Sequence, residues 1–347
     1  MGNNRTEISS LGEFGLIDRI KGSVRHYHKS SYLGIGDDAA VIGDGDELTV
    51  ITTDMLNEGV HFDLSYMPLR HLGYKAVAIN ISDIAAMNAK PRQIVVNLGL
   101  SNRISVEAVD ELYAGINMAC ENYKVDLVGG DTASSFSGLI LSVTAIGKVG
   151  KDQVVYRKGA RPNDIVCVTG DLGAALMGLQ VLEREKQVFL TNPEMQPELK
   201  GYEYIVGRQL KPEARMDIIY ELEELKIIPT SMIDISDGLS SELFHICSQS
   251  GSGVRIFEDK LPIDQSTYQT AVEFNIDPIT AVLNGGEDYE LLFTISPEHY
   301  EKIKNHPDIF MLGYITEQSE GMHIITKSGT PVMLKAQGWQ HFESKQS

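Results

Sequence analysis

The sequence predicts a mixed α/β fold built as two domains, and three observations predict it. The chain has 347 residues, enough for two units of roughly 100–200 residues each. Apolar residues follow the strand period in some stretches and the helix period in others, along both halves. Near residues 150–163 the chain crosses GKDQVVYRKGARPND, rich in Gly, Pro and charge, which divides it into 1–150 and 151–347.

The elements follow in order. Residues 11–29 read as a helix, with Phe14, Ile17, Ile20 and Val24 at helical spacing. ELTVITTD (47–54) is a strand ending in polar residues. Residues 70–90 are long and mostly helical, although VAINI alone also fits a strand. RQIVVNLGL is a strand, and 105–123 is a helix with Ser105 as its N-cap. KVDLVGGDT and SGLILSVTAIGKV read as strands. In the second half DIVCVTG is a strand and DLGAALMGLQVLERE a helix, followed by a polar loop at 185–201. A helix at 213–226 leads to strand TSMIDIS, helix GLSSELFHICSQS and strand GVRIF. A connector, NGGEDYELLFTIS, a helix near 297–304 and strands around 309–315 and 321–334 complete the chain.

Composition narrows the function. The chain is 42% hydrophobic and 22% charged, as in ordinary globular proteins. No apolar run approaches the roughly 18 residues of a membrane span, and the opening residues lack a secretory apolar core. Lys and Arg number 30 against 48 Asp and Glu, a net charge of −18, which argues against broad nucleic-acid or anionic-membrane binding. To hold an anion, such a chain needs metal ions or a local Arg/Lys cluster. Cys120, Cys167 and Cys247 are far apart and form no CxxC, so a reducing cytoplasm is expected.

The acids recur in a pattern. GDD carries Asp37 and Asp38, TTD carries Thr52, Thr53 and Asp54, ISD carries Asp83, GGD carries Asp131, and IDISDG carries Asp234, Ser236 and Asp237. Several read as strand ends, where open α/β folds place ligand sites, and Gly129 and Gly130 permit close backbone approach. Each alone also reads as a turn or cap. Gathered in one cleft, each close pair of carboxylates would repel by about 4 kcal/mol at an effective dielectric near 20. Only cations make such a cluster stable, and an all-oxygen set suits a hard ion such as Mg²⁺. Mg²⁺ shares its shell with phosphates, which points to phosphoryl transfer. No GxxxxGK[ST], HRD, DFG or HExxH occurs, which excludes P-loop proteins, protein kinases and zincins. YRKGARPND offers Arg157, Lys158 and Arg161 as a phosphate clamp, or as a solvated linker.

Together GIGDDAAVI, TTDMLNEGVHF, YKAVAINISDIAAMNAKP, GGDT, YRKGARPND, MIDISDGL and GGEDYELLFT, in this order, resemble the thiamine-monophosphate kinase family. The resemblance runs from about residue 12 to GWQHF. It implies the aminoimidazole ribonucleotide synthetase-like fold, with two α/β domains and an N-terminal sheet that pairs across a homodimer. It also implies ATP and thiamine monophosphate as substrates, several Mg²⁺ ions, and direct in-line transfer of the γ-phosphate to give thiamine diphosphate. Carried over by motif, Asp38, Thr52, Thr53, Asp54, Asp83, Asp131, Asp234 and Asp237 look like metal ligands. Gly130, Asp131, Arg157 and Ser236 look like ATP contacts, with Asp131, Arg157 and Asp237 closest to the chemistry. His61, Glu287 and Trp339 look like thiamine-side contacts; Trp339 is the only Trp, and its flat face suits ring stacking or ordinary packing. Asp37, beside its ligating neighbour, is expected to support the metal ligands without touching the ion. Asn88 stands where many relatives carry Gly, at a helix end and away from any ligand.

Two other readings compete. Relatives of the same fold include a selenophosphate synthetase, expected to carry a reactive Cys or selenocysteine near its N-terminus, and a hydrogenase-maturation protein that ends in a modified Cys. Here the first Cys is Cys120 and the chain ends ESKQS. The aminoimidazole ribonucleotide synthetase is a further alternative, against which TTDMLNEGVHF and GGEDYELLFT weigh. A non-catalytic divalent-cation protein explains the acids but not YRKGARPND or Trp339.

Overall fold

The structure, a computed structural model, describes residues 7–335. Its first half is a six-stranded sheet under two helices. After α1 (Gly12–Lys21) come β1 (Ser31–Leu33), β2 (Ala40–Ile42) and β3 (Glu47–Asn57). Then follow α2 (Leu69–Ala86), β4 (Lys90–Leu100), α3 (Val106–Tyr123), β5 (Asp126–Ser134) and β6 (Ile140–Gly150). The strand order is β1-β2-β3-β6-β4-β5. Only β4 and β5 run parallel, and α3 is the crossover such a pair requires. Ser105 caps α3 by accepting from the Ala108 N–H at 3.2 Å, as its spacing predicted.

Along β3 the side chains alternate, with Leu48, Val50, Thr52 and Leu56 buried and Thr53 and Met55 exposed. The buried face receives α2, which packs on β3, β4 and β6 and carries α3 on its side. The two helices touch backbone to backbone. A Cβ on Gly115 would lie 1.9 Å from the Arg70 carbonyl oxygen, and one on Gly73 would lie 2.1 Å from that of Leu112.

The second half is a seven-stranded sheet. It comprises β7 (Ile165–Thr169), α4 (Ala174–Thr191), α5 (Glu203–Leu210), α6 (Met216–Glu224), β8 (Ser231–Asp234) and α7 (Leu239–Ser250). It continues with β9 (Ser252–Phe257), α8 (Gln265–Glu273), α9 (Pro278–Asn284), β10 (Leu291–Ile295) and α10 (Tyr300–Ile303), and ends with β11 (Ile309–Glu317), β12 (Met322–Ile325) and β13 (Pro331–Met333). The order is β13-β12-β9-β11-β7-β10-β8. Every residue of β8 and β10 is buried, which is why MIDI and LLFTI read as continuous apolar runs.

Helix α2 joins the halves, since β8, α5 and α6 of the second half also pack on it. Fourteen of its residues, from Leu72 to Ala86, are buried. That settles the VAINI ambiguity: a helix wrapped on all sides shows no amphipathic period. Past its end Asn88 adopts φ +55°, a left-handed conformation that Asn tolerates and Gly favours.

The elements differ from expectation in four places. α1 stops at Lys21, before Gly22, and Val24 is 45% exposed, so no buried face prolongs the helix. α4 runs on through Thr191, because straight-chain Glu, Lys and Gln are good helix formers. The expected loop begins only after it, and α5 follows. The connector holds α8 and α9, capped by Asp264 and Asp277, whose carboxylates accept from Ser266 and Ile279 N–H at 2.7 and 3.0 Å. Finally, TTD and GGD lie inside β3 and β5, not at strand ends.

Candidate active site

The buried face of the first sheet and the edge of the second meet in a cage of carboxylates. Asp38 sits in the turn before β2, Asp83 in the last turn of α2 and Asp234 at the end of β8. One oxygen from each lies within 4.8 Å of the others, the arrangement among the described residues that could hold a metal ion. Their neighbours aim them. Thr52 Oγ1 donates to Asp83 Oδ2 at 2.6 Å, and Ser82 Oγ donates to Asp234 Oδ2 at 2.6 Å. The Arg157 guanidinium pairs with Asp38 Oδ1 at 2.8 Å. Asp38 Oδ2 is buried and has no hydrogen-bond partner.

Asp54 stands beside the cage on the same face of β3 as Thr52. Its N–H donates to Asn80 Oδ1 at 3.1 Å, and Asn80 Nδ2 donates to the Ala76 carbonyl at 3.0 Å, so α2 grips the strand at this point. Asp37 stands outside the three-carboxylate group. Its Oδ1 accepts from the Arg157 N–H at 3.0 Å and the Asp38 N–H at 3.3 Å, tying the turn to YRKGARPND.

The electrostatics record crowding. Burial, then Asp38, pushes Asp234 up to about 8. Burial, then Asp54, Asp234 and Asp38, raises Asp83 well above the carboxylate range. Burial lifts Asp54 to about 6, and burial together with Asp38 lifts Asp37 to about 7. One guanidinium does not balance these acids. With an orphaned Asp38 oxygen and ligands that are all oxygen, the site fits a hard divalent cation.

Beyond β8 a loop carries Ser236, exposed, and Asp237, whose N–H donates to Glu242 Oε1 at 2.9 Å. Glu242 is buried on α7, and burial followed by Asp237 raises its pKa well above normal. The Glu287 N–H donates to the Ser236 carbonyl at 2.7 Å, which draws GGEDYE against this loop.

Models of two domains match the chain: AIR synthase related protein, N-terminal domain, over residues 36–149, and AIR synthase related protein, C-terminal domain, over residues 161–325. Thiamine-monophosphate kinase of Bacillus subtilis (strain 168) is 35% identical over 339 residues, spanning 96% of this chain and 100% of that one. The chain belongs to the thiamine-monophosphate kinase family. The Aquifex aeolicus (strain VF5) thiamine-monophosphate kinase is 35% identical over 336 residues, 96% of this chain and 99% of that one. The solved structure of AaThiL complexed with AMPPCP and TMP superposes with a TM-score of 0.83 at 33% identity, covering 98% of this chain and 100% of that one.

In this thiamine-monophosphate kinase family member the expected site residues divide. Asp38, Thr52, Asp54, Asp83, Asp234 and Arg157 come together, with Ser236 and Asp237 on the adjoining loop. Thr53 and Asp131 face the other way. Thr53 Oγ1 donates to the Val143 carbonyl at 3.1 Å and accepts from Thr144 Oγ1 at 3.0 Å, on the face that no helix covers among the described residues. Asp131, exposed on edge strand β5, pairs in register with exposed Asn97 on that face. Gly130 beside it has a packing reason of its own, since a Cβ there would lie 1.7 Å from the Val96 carbonyl oxygen. His61 follows β3 in a tight turn, where its Nδ1 accepts from the Asn57 N–H at 3.0 Å. Trp339 lies outside the described residues. Sequence reasoning missed Asn80, Ser82 and Glu242. The available signal for Asn80 and Ser82 was a polar residue inside a helix otherwise filled with apolar ones.

Proposed function

We propose that Asp38, Asp83 and Asp234, with Thr52 and Asp54 beside them, hold magnesium, and that this cage sets the phosphate tail of ATP against the phosphate of thiamine monophosphate. The chain is a thiamine-phosphate kinase: it phosphorylates thiamine monophosphate with ATP, a step of thiamine biosynthesis. The observation that carries the site assignment is the orphaned Asp38 oxygen within a cluster of three carboxylates.

Bound magnesium supplies positive charge between these carboxylates and phosphate oxygens, the neutralisation that phosphoryl transfer needs. The chain's own residues position the reactants. Ser82 and Thr52 hold Asp234 and Asp83 in fixed rotamers. Arg157, mostly buried and paired with Asp38, holds its charge beside the cage, where the ATP tail is expected. Gly130, Asp131 and Ser236 serve the nucleotide and Asp237 adds to the cage from the adjoining loop, whereas Asp131 and Thr53, on the opposite face of the sheet, hold a further ion outside it. His61, Glu287 and Trp339 serve the thiamine. The γ-phosphoryl group passes directly and in line to the substrate phosphate, with no phosphoenzyme.

The enzyme works as a homodimer in the cytoplasm. The uncovered face and edge of the first sheet support the dimer, because Met55, Val128 and Phe136 are 56%, 59% and 108% exposed there and on the β5–β6 connection. No helix among the described residues is long and apolar enough to cross a membrane.

The test is an ADP-release assay with ATP, Mg²⁺ and thiamine monophosphate, with the product identified by mass. Thiamine diphosphate that disappears on adding EDTA supports both the reaction and the metal cage. Turnover that persists in EDTA sinks the cage. Turnover only with formylglycinamidine ribonucleotide or selenide moves the function to another member of the fold.

A further inference from the structure

Lys75 is the most deeply buried cation of the chain's described residues, with its side chain 1% exposed. It sits on α2, and its Nζ pairs with Glu287 Oε1 of the second domain at 2.9 Å. The same Nζ donates to the Gln209 carbonyl of α5 at 3.1 Å. Gln209, also buried, returns to the carboxylate, its Nε2 donating to Glu287 Oε2 at 2.7 Å. Both oxygens of Glu287 are therefore held, one by an ammonium and one by an amide, while the side chain stays 30% exposed.

The backbone of Glu287 is held as well. It adopts φ +65°, a conformation non-glycine residues rarely take, and Tyr289 repeats it at φ +53°. Its N–H is tied to the Ser236 carbonyl. A buried ion pair gives little net stability over an apolar pair of similar volume, so packing alone does not account for this arrangement. Lys75 is also placed in register with the cage. It lies seven residues before Ser82, two helical turns and about 10.5 Å along the axis, on the same face of α2. One face of one helix thus reaches the second domain twice, at Asp234 through Ser82 and at Glu287 through Lys75.

We propose that Lys75, assisted by Gln209, is a positioning residue that fixes the Glu287 carboxylate toward the cationic ring of the thiamine substrate, at a set distance from the metal cage. The inference rests on the reading of Glu287 as a thiamine-side contact.

The test is steady-state kinetics on the full chain for wild type, K75M, Q209L, E287Q and the double variant K75M/E287Q. Thiamine monophosphate and ATP are varied separately, and melting temperatures are recorded alongside. K75M and E287Q are each expected to raise KM for thiamine monophosphate about tenfold and to leave KM for ATP within about twofold. The double variant is expected to be no worse than E287Q alone, because Lys75 acts through Glu287. Equal rises in both KM values, or full additivity in the double variant, would make Lys75 a packing residue and overturn the proposal. An unchanged KM for thiamine monophosphate in E287Q instead removes Glu287 from the substrate site and takes the proposal with it. Should K75M fail to fold, Q209L decides, since it frees Glu287 Oε2 and leaves the ammonium paired. A KM rise confined to thiamine monophosphate supports the clamp, and any other result overturns it.

Discussion

Ser82 Oγ of the first domain donates a hydrogen bond of 2.6 Å to Asp234 Oδ2 of the second. A hydroxyl with 0% exposure thus orients a carboxylate across the domain boundary. S82A is expected to raise the Mg²⁺ concentration needed for half-maximal rate by about tenfold, the usual effect of losing a group that orients a ligand. A magnesium titration of the initial rate measures it, and an unchanged midpoint would mean that Asp234 needs no such guide.

Asp83 carries the cost of crowding. D83N is expected to lower kcat/KM by about a hundredfold or more, equivalent to about 2.7 kcal/mol of transition-state stabilisation. In EDTA the same variant should be more stable than wild type by about 1 kcal/mol or more, because an amide neither bears a charge beside the other acids nor has to take up a proton to avoid one. Activity assays and urea melts in EDTA give the two numbers. Loss of both activity and stability would mean that Asp83 is a structural acid.

Asp131 faces away from the cage within one chain. D131N is expected to lower kcat and kcat/KM together by about tenfold or more, the signature of an interaction made in the transition state. An unchanged kcat would remove Asp131 from the site.

Trp339→Ala is expected to raise KM for thiamine monophosphate and to leave that for ATP unchanged. Equal changes in both would make the residue structural.

Asp288 supplies a pH dependence outside the cage. Its carboxylate accepts from the Gly173 and Ala175 N–H groups at 2.6 and 3.2 Å, capping the start of α4. Burial raises it from 3.8 to about 7, with Arg208 and the two N–H groups opposing. The folded state therefore holds this proton more tightly than the unfolded chain. Its contribution is fully present below about pH 4 and is lost as pH rises to about 7. D288N has no such proton to lose. Relative to D288N, wild type should lose up to roughly 1.4 kcal/mol per pH unit across that window. Denaturant melts at several pH values test it, and parallel stability curves for the two proteins would contradict it.

Much of the site was legible because its acids come in short motifs flanked by small or apolar residues. Asp38, Asp83 and Asp234 carry no nearby cation in sequence, and they meet in space. The facing of Thr53 and Asp131 was harder to read. Once β3 and β5 extend through TTD and GGD, the strand period sends Thr53 opposite Thr52 and Asp54. A reading that placed these motifs at strand ends had no reason to separate them. Lys75 and Ser82 signalled only that they are polar within an apolar helix, because α2 is buried on every side and their partners lie more than a hundred residues away. The helices α8 and α9 are only nine and seven residues long, too short for a periodic pattern to show, although Asp264, Asp277 and Pro278 mark their starts.

Helix α2 has two owners. Cutting the chain in the linker near residue 155 would leave one fragment with an apolar helix face turned to water, and the other with a groove where that face had lain. Neither piece would have a complete interior until it met the other. The two halves therefore cannot be bred separately, exchanged between relatives and rejoined at will. For inheritance, as for engineering, this kinase is a single part.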